Sequence, residues 1–290
     1  MFSQQLINGL TVGSMYALIA LGYTMVYGIL KIINFAHGDI FMIGAFIGLI
    51  LVKQFHVGFV FSILISMFIV AILGVLVERV AYRPLRNSTK LAPLLSALGV
   101  SIFLSNFAQL VFGTQTRSFP PSFEIKTFEI GSIVVSNIQI YALLISIVLM
   151  VGLHFFVHKT KMGVAMRATS HNVNSARLMG INVDNIISLT FAIGSALAAA
   201  AGILVGLYYD AVYPVMGYTA GLKAFTAAVL GGIGSIPGAM LGGLLLGVVE
   251  NLGAAYLSMG YRDAIAFGLL IIILLIKPSG LLGKNIQQKV

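Results

Sequence analysis

Residues 6–30 read LINGLTVGSMYALIALGYTMVYGIL, and the residues that follow, 31–39, read KIINFAHGD. The first stretch is apolar almost throughout, and a helix needs about 20 such residues to cross a hydrocarbon layer. The second stretch places Asn34, His37 and Asp39 between this run and another apolar run that begins at once. Long apolar runs separated by short polar breaks predict a membrane-spanning helical fold.

The composition of the whole chain leads to the same prediction. Of its 290 residues, 59% are hydrophobic and only 9% are charged, whereas about a quarter of the residues in an ordinary soluble domain carry charge. The chain contains no cysteine, which excludes a disulfide framework and a zinc–thiolate site. We therefore predict an all-α polytopic membrane protein that forms a single transmembrane domain over residues 1–290.

The apolar runs predict eight or nine transmembrane segments. The runs are Leu6–Leu30, Phe35–Val52, Val57–Val77, Leu91–Phe112, Ile138–Val157, Ile186–Leu207, Gly221–Leu257 and Ala264–Ile276. Gly221–Leu257 is long enough for two crossings, or for one crossing and a re-entrant segment, and both alternatives stay open. Glycine pairs at four-residue spacing, such as Gly9/Gly13 and Gly243/Gly247, predict that helix backbones approach each other closely.

Basic residues predict the orientation of the chain. The net charge of +9 is concentrated in three places, whose members are Arg79, Arg83, Arg86 and Lys90; Lys159, Lys161, Arg167 and Arg177; and Lys277, Lys284 and Lys289. Because cytoplasmic loops are rich in lysine and arginine, we predict an external N-terminus and a cytoplasmic C-terminus. The loop Gly113–Asn137 is then external and residues 159–185 form a cytoplasmic loop. This topological use of the charge gives no reason to expect a nucleic-acid partner.

Two polar or helix-breaking stretches interrupt the apolar pattern, one in each half of the chain. Paired breaks in corresponding halves indicate broken or re-entrant helices around a substrate path, and hence pseudo-repeated halves. The alternative is that both are short loops at the membrane surface. The residues predicted to line the path are Asn34, Phe35, His37, Gly38 and Asp39 in the first break and Gly231, Gly232, Gly234 and Ser235 in the second.

Two carboxylates fall within apolar surroundings, where an unpaired charge is costly. Asp39 either caps the helix that follows it or belongs to the path, and the sequence does not choose between these roles. Glu250 is expected to hold a helix end to its neighbour through Asn251. The stretch Gly231–Gly238 lacks the Gly-Lys-Ser/Thr of a phosphate-binding loop. We predict no catalytic residue, metal site or cofactor, and therefore a protein that is not itself an enzyme.

The cytoplasmic loop 159–185 is predicted to contain a short helix that begins at a Ser170 cap, runs to Met179 and ends at Gly180. Such a helix, with the small residues Ala168 and Ala176 among polar ones, is suited to docking into a groove of another protein. The alternative is an interfacial linker that lies on lipid headgroups.

Four segments together closely resemble one family. They are INFAHGD (33–39) with residues 41–48, YRPLRNSTKLAPLLSALG (82–99), RATSHNVNSARLMGIN (167–182) and KAFTAAVLGGIGSIPGAMLGG (223–243). The chain resembles LivH-type permeases, the membrane subunits of branched-chain amino acid ABC importers, over residues 8–283. Urea and amide permeases share the broader family, so no single segment would be specific.

The resemblance implies a multi-pass protein of the bacterial inner membrane that works by alternating access. Its partners would be a homologous second permease subunit in a heterodimer, two cytoplasmic ATPases, an external or periplasmic binding protein that delivers leucine, isoleucine or valine, and membrane lipid. It also implies that the loop docks on an ATPase through Arg167, Ala168, Asn172, Ala176, Gly180 and Ile181. The remaining alternatives are a urea or short-chain amide ABC permease and, from another class, a self-sufficient secondary transporter or channel with Asp39 or Glu250 as its coupling site.

Overall fold

A computed structural model describes residues 1–86, 88–89, 91–121, 123–131 and 133–283. These residues form eleven α-helices and one antiparallel β-hairpin. The helices are α1 (Phe2–Leu30), α2 (His37–Lys53), α3 (Phe59–Val77), α4 (Leu91–Phe112), α5 (Asn137–Lys159), α6 (Lys161–His171), α7 (Val173–Leu178), α8 (Val183–Tyr209), α9 (Met216–Gly231), α10 (Ile236–Tyr256) and α11 (Arg262–Ile276). The strands are β1 (Thr127–Ile130) and β2 (Ile133–Ser136), with Thr127 paired to Ser136.

Seven helical segments in the described residues are long and apolar enough to cross a membrane. They are Phe2–Leu30, Phe59–Leu85, Leu91–Phe112, Asn137–Lys159, Val183–Tyr209, Ile236–Tyr256 and Met259–Ile276. The segment Phe59–Leu85 is α3 extended by a π-helical and a 3-10 turn, and a 3-10 turn likewise precedes α11. This architecture confirms the prediction of an all-α polytopic membrane protein.

Two further apolar helices, α2 and α9, have only 17 and 16 residues, which is short for a membrane crossing. Each follows a long buried helix, and in both cases a residue other than glycine adopts the left-handed conformation at the end of that helix. These residues are Lys31 (φ 56°) after α1 and Asp210 (φ 47°) after α8. Each then begins after a short irregular segment. The order of a long helix, an irregular segment and a short helix therefore occurs twice, once in α1–α4 and once in α8–α11.

The N-terminal ends of α2 and α9 meet inside the bundle at a pair of glycines. A Cβ atom built on Gly38 would overlap the carbonyl oxygen of Gly217, and one built on Gly217 would overlap the carbonyl oxygen of Gly38. Only glycine permits backbones to come this close. Beside this crossing lies His37, whose ring contacts the Tyr23 ring in the C-terminal half of α1. Both short helices therefore begin deep inside the bundle.

The glycine pairs of α1 and α10 pack against each other, as their four-residue spacing predicts. A Cβ atom on Gly13 would lie 2.8 Å from the Cα atom of Leu244, and Cβ atoms on Gly243 and Gly247 would overlap the backbone of α1. Likewise, α8 packs along α3, so both pairs join a helix of one half to a helix of the other. Long helices α1 and α8 are thus buried at the centre, while α3, α4 and α5 leave large apolar side chains exposed, as lipid-facing helices do.

The bundle has two different ends. We call one the hairpin end: it carries β1 and β2, and the Gln4 side chain near the N-terminus exchanges hydrogen bonds of 2.9 and 2.8 Å with the backbone of Val134. We call the other the loop end, because α6 and α7 lie there. Arg86 pairs with Asp184 (2.7 Å) at the loop end. Of the basic clusters, Lys90, Lys284 and Lys289 lie outside the described residues.

The stretch Gly221–Leu257 contains two helices rather than one. A turn with positive φ at Gly232 (105°) and Gly234 (93°) separates α9 from α10, and Ser235 caps α10 by accepting a hydrogen bond from the Gly238 backbone N–H (3.2 Å). The first of these helices begins at Met216, before the apolar run that marked it in the sequence.

Candidate functional site

The first predicted break is buried at the crossing of α2 and α9. Asn34, His37 and Asp39 are 2%, 1% and 3% exposed. The Asn34 side-chain oxygen accepts a hydrogen bond of 2.7 Å from the Tyr82 hydroxyl. The His37 ring lies against Gly22, where an added Cβ would overlap it. The irregular backbone of this segment is therefore shielded from lipid, as such backbone must be at membrane depth.

Asp39 lies in the first turn of α2, and its carboxylate connects this helix to α4. The two Asp39 carboxylate oxygens accept hydrogen bonds from Ser101 (2.5 Å) and Ser105 (2.6 Å) on α4. Two hydroxyl donors one helical turn apart satisfy both oxygens at once. Asp39 therefore joins α2 to α4, a contact that the sequence did not predict.

A small cavity of about 60 Å³ adjoins this crossing. It is lined by Tyr23, Phe35, Asp39, Leu98, Ser101, Gly217, Tyr218, Gly221 and Leu222. The lining combines the start of α2 with the start of α9, so Phe35 and Asp39 are brought together with residues of the second half that the sequence did not single out.

The second predicted break lies elsewhere, at the loop end. Gly234 and Ser235 line a cavity of about 380 Å³ together with Lys31, His158 and Arg167. The backbone of Gly231 abuts that of Gly238, and Gly232 abuts Gly283 near the end of the described chain. The two predicted breaks therefore lie at different places: the first is buried at the helix crossing, and the second borders the cavity at the loop end.

The segment that corresponds to 31–36 in the second half is 210–215, which sequence reasoning missed. The Asp210 carboxylate accepts hydrogen bonds from the Ser118 hydroxyl (2.7 Å) and the Phe119 backbone N–H (2.8 Å). Val212 pairs with Arg117 through two backbone hydrogen bonds of 2.8 and 2.9 Å. These contacts turn the chain back into the bundle, where α9 begins. The available signal was Asp210 and Pro214 directly after a long apolar run.

A larger cavity of about 420 Å³ lies beside this segment at the hairpin end. It is lined by Tyr16, Phe41, Val205, Tyr209, Ala211, Tyr213, Met216, Thr219, Ala220, Lys223 and Arg262. Two basic residues of this lining, Lys223 and Arg262, pair with Glu250, which is fully buried. One Glu250 oxygen lies 2.8 Å from Lys223 Nζ and 2.5 Å from Arg262 Nε.

The predicted partner of Glu250 was therefore wrong. Asn251 donates to the Gly247 carbonyl of its own helix (2.8 Å), whereas Glu250 binds a lysine of α9, an arginine of α11 and the Tyr16 hydroxyl of α1 (3.3 Å). Glu250 does join its helix to neighbouring helices, as predicted, but through these residues and not through Asn251. A buried carboxylate at this depth needs such partners.

At the loop end, a second fully buried glutamate occupies a comparable position and was also missed. Glu78, just after α3, pairs with Arg83 (3.4 Å) and Arg86 and accepts a hydrogen bond from the Ser188 hydroxyl of α8 (2.6 Å). Arg86 in turn pairs with Asp184 at the start of α8. The network joins the end of α3 to the helix that follows the loop.

The loop 159–185 contains two short helices instead of one. Thr160 caps α6 by accepting from the Gly163 N–H (3.0 Å), and Asn172 caps α7 by accepting from the Ser175 N–H (3.0 Å). The predicted Ser170 cap is therefore wrong: Ser170 lies in the last turn of α6, and its hydroxyl donates to the Arg167 carbonyl (2.8 Å). Gly180 has φ 79°, the left-handed stop that the sequence predicted.

The residues predicted for ATPase docking differ in exposure. Arg167, Asn172 and Gly180 are exposed. Ala168 and Ile181 are half-buried, and Ala176 lies on the buried face of α7. Leu178 and Met179, which the prediction omitted, are 89% and 82% exposed. Two large apolar side chains protruding together from a polar loop are typical of a protein contact.

Residues 5–274 match a family described as the permease component of the branched-chain amino acid transport system. The chain belongs to this permease family. It is 48% identical to the high-affinity branched-chain amino acid transport system permease protein BraD of Pseudomonas aeruginosa, with 100% of this chain and 98% of that protein covered. It is 45% identical to the permease protein LivH of Escherichia coli K12, with the same coverage of both chains.

A solved structure supports the fold of this permease. The structure described as PsaBC from Streptococcus pneumoniae in complex with Fab aligns with a TM-score of 0.50 and 13% sequence identity, covering 96% of this chain and 93% of that chain. This likeness concerns the helical architecture alone. The resemblance to LivH-type permeases found in the sequence is confirmed by the family match and by the two relatives above.

Proposed function

We propose that this permease is one membrane subunit of an ATP-driven importer of branched-chain amino acids that works by alternating access. The observation that carries the proposal is the crossing of two short helices, α2 and α9, inside a chain of the branched-chain amino acid permease family. Short helices that begin at mid-depth are found where transporters form a substrate path. The whole chain is proposed to act as one permease domain.

The path is proposed to start at the hairpin end and to pass the crossing formed by Asn34, Phe35, His37, Gly38 and Asp39. The turn Gly231–Ser235 would border its exit, because Gly234 and Ser235 line the cavity at the loop end. The hairpin end is proposed to be external and the loop end cytoplasmic. Supporting this orientation, Arg79, Arg83, Arg86 and the basic residues of α6 and α7 all lie at or beside the loop end.

The proposed partners are a homologous second permease subunit, two cytoplasmic ATPases and an external binding protein. The loop 159–185 is proposed to dock on an ATPase through the exposed face of α6 and α7. Leu178 and Met179 support this role because their burial would need a partner surface. Movement there would reach the membrane helices through the Glu78 network, which ties α3 to the start of α8.

The alternatives receive less support. Urea or a short amide as substrate is less favoured because the relatives at 48% and 45% identity are named as branched-chain amino acid permeases. A self-sufficient secondary transporter would need a carboxylate free to bind a coupling ion. Asp39 and one oxygen of Glu250 are instead occupied by hydroxyl and basic partners.

The test is reconstitution of the purified complex in liposomes with the chain, its co-purifying ATPases and the external binding protein. We expect ATP-dependent uptake of leucine, isoleucine or valine that survives collapse of the proton gradient by an ionophore. Urea uptake in the same liposomes is the matched control. Purification without any ATPase, or uptake that ends with the proton gradient while ATP remains, would contradict the proposal.

A further inference from the structure

The cavity of about 420 Å³ at the hairpin end has two chemically different walls. Phe41, Val205 and Met216 supply apolar surface, which we call the apolar wall, and Lys223 and Arg262 supply charged surface, which we call the basic wall. The basic wall is built rather than incidental, since the Lys223 side chain is only 9% exposed and is held by a carboxylate that is fully buried. A concave site with an apolar lining and a few fixed polar groups is the usual form of a small-molecule site.

The charges on the basic wall are unevenly held. Glu250 is shared by both cations, which fixes them in place. The second anion on Lys223 is Asp263, whose oxygen lies 2.7 Å from Nζ but whose side chain is 59% exposed. An exposed ion pair contributes little free energy. Asp263 therefore occupies a position on Lys223 from which another carboxylate can displace it.

We infer that this cavity binds one free amino acid as a zwitterion, with its carboxylate at Lys223 and Arg262 and its ammonium at the displaced Asp263. Its aliphatic side chain would lie against Phe41 and Met216. The inference rests on the proposed function, because it takes the ligand to be the transported amino acid. The first turn of α9 opens into the same cavity at Met216 and Thr219, and the positive end of a helix dipole adds to the attraction for a carboxylate.

The charges at the site also argue for an amino acid over an uncharged amide. A neutral ligand that took the place of Asp263 would supply no anion to Lys223. The nearly buried Lys223 ammonium would then have only the Glu250 carboxylate, which it shares with Arg262. An amine without a carboxylate has the same defect and adds a further positive charge. The site therefore requires both charged groups of the ligand.

The test uses the absence of cysteine in the natural chain. Thr219→Cys places one thiol on the cavity wall of the assembled transporter in nanodiscs, without added binding protein. We expect L-leucine to slow modification by an impermeant thiol reagent about tenfold, as displacement of solvent by a charge-paired ligand implies. L-Leucinamide, which lacks the carboxylate, and 4-methylpentanoate, which lacks the ammonium, should protect weakly or not at all. Gln54→Cys, exposed at the end of α2, should react at a rate that leucine does not change.

A second variant tests the ammonium partner. Asp263→Asn should raise the leucine concentration needed for protection by about tenfold, because an ammonium–carboxylate pair becomes a weaker neutral contact. Because the Asp263 side chain is 59% exposed, its substitution should leave the fold intact, and association with the ATPases checks this.

Each outcome bears on one proposal. Absence of protection at Thr219→Cys, a thiol that does not react without leucine, or equal protection by leucinamide would overturn the zwitterion site. Leucine uptake by the same complex would then leave the proposed function standing. Failure of the parent complex to take up any branched-chain amino acid would instead overturn the proposed function.

Discussion

At the scale of single residues, Gly38 and Gly217 determine whether the two short helices can cross. We expect Gly38→Ala or Gly217→Ala to lower thermal stability and uptake together, since overpacking of a close contact costs about 1–3 kcal/mol or more. Gly99→Ala is the matched control: it lies on the exposed face of α4 with no atom near an added Cβ. The measurement is the melting temperature of the purified complex, and an unchanged value for Gly38→Ala would contradict the crossing.

Asp39 provides a second test at this scale, because two substitutions distinguish the role of its charge from the role of its hydrogen bonds. Asn in place of Asp39 can still bond Ser101 and Ser105, whereas Asp39→Leu leaves two half-buried serines without their acceptor. We expect Asp39→Leu to lose about 1–3 kcal/mol of stability, and Asp39→Asn to lose much less. Thermal melting with uptake measures both. If Asp39→Asn keeps its stability but abolishes uptake, the negative charge itself has a transport role.

At the scale of helices, the sequence predicted the spans well and their starts less well. The apolar runs located every long helix because burial in lipid demands them. The start of α9 was missed because Tyr213, Pro214 and Tyr218 interrupt the apolar pattern there, and a helix that begins inside a bundle needs no complete run. Ser170 and Asn172 are both good capping residues, and the choice between them depended on where Thr160 started α6.

The loop helices α6 and α7 are expected to transmit ATPase movement. Gly180→Val should strain the left-handed stop, since a branched residue disfavours positive φ, and Ala168→Glu should place charge at a half-buried contact. We expect both to lose ATP hydrolysis stimulated by the loaded binding protein, with membrane insertion unchanged.

The hairpin offers the control for this prediction. Gly131 also has positive φ (63°), at the opposite end of the molecule and with no atom near an added Cβ. Gly131→Val should therefore carry similar backbone strain without affecting hydrolysis. If Gly131→Val and Gly180→Val behave alike, the effect is general strain and the loop is only a linker.

At the scale of the whole molecule, the partners of the two buried glutamates could not be assigned from the sequence. Glu78 and Glu250 are fully buried, one toward each end of the bundle. Glu78 is held by Arg83 and Arg86 of the segment that follows it, and Glu250 by Lys223 of α9 and Arg262 of α11. Hydropathy marks such residues as costly at membrane depth, but only the packing of α1, α8, α9 and α11 shows which partners offset the cost. The candidate cavity at the hairpin end was missed for the same reason.

The last prediction concerns the orientation of the whole bundle. Glu129 in β1 and His171 at the end of α6 are exposed at opposite ends of the bundle, whereas Ser122, in the same predicted external loop as Glu129, lies outside the described residues. In intact cells, an impermeant thiol reagent should modify Glu129→Cys and leave His171→Cys unreacted until the membrane is opened. The reason is that Lys and Arg concentrate at the loop end, and moving them across the membrane would oppose the bias that sets topology. The cysteine-free parent fixes the background. If the reagent modifies His171→Cys alone in intact cells, the loop end is external and the proposed orientation is wrong. The amino acid cavity would then open to the cytoplasm.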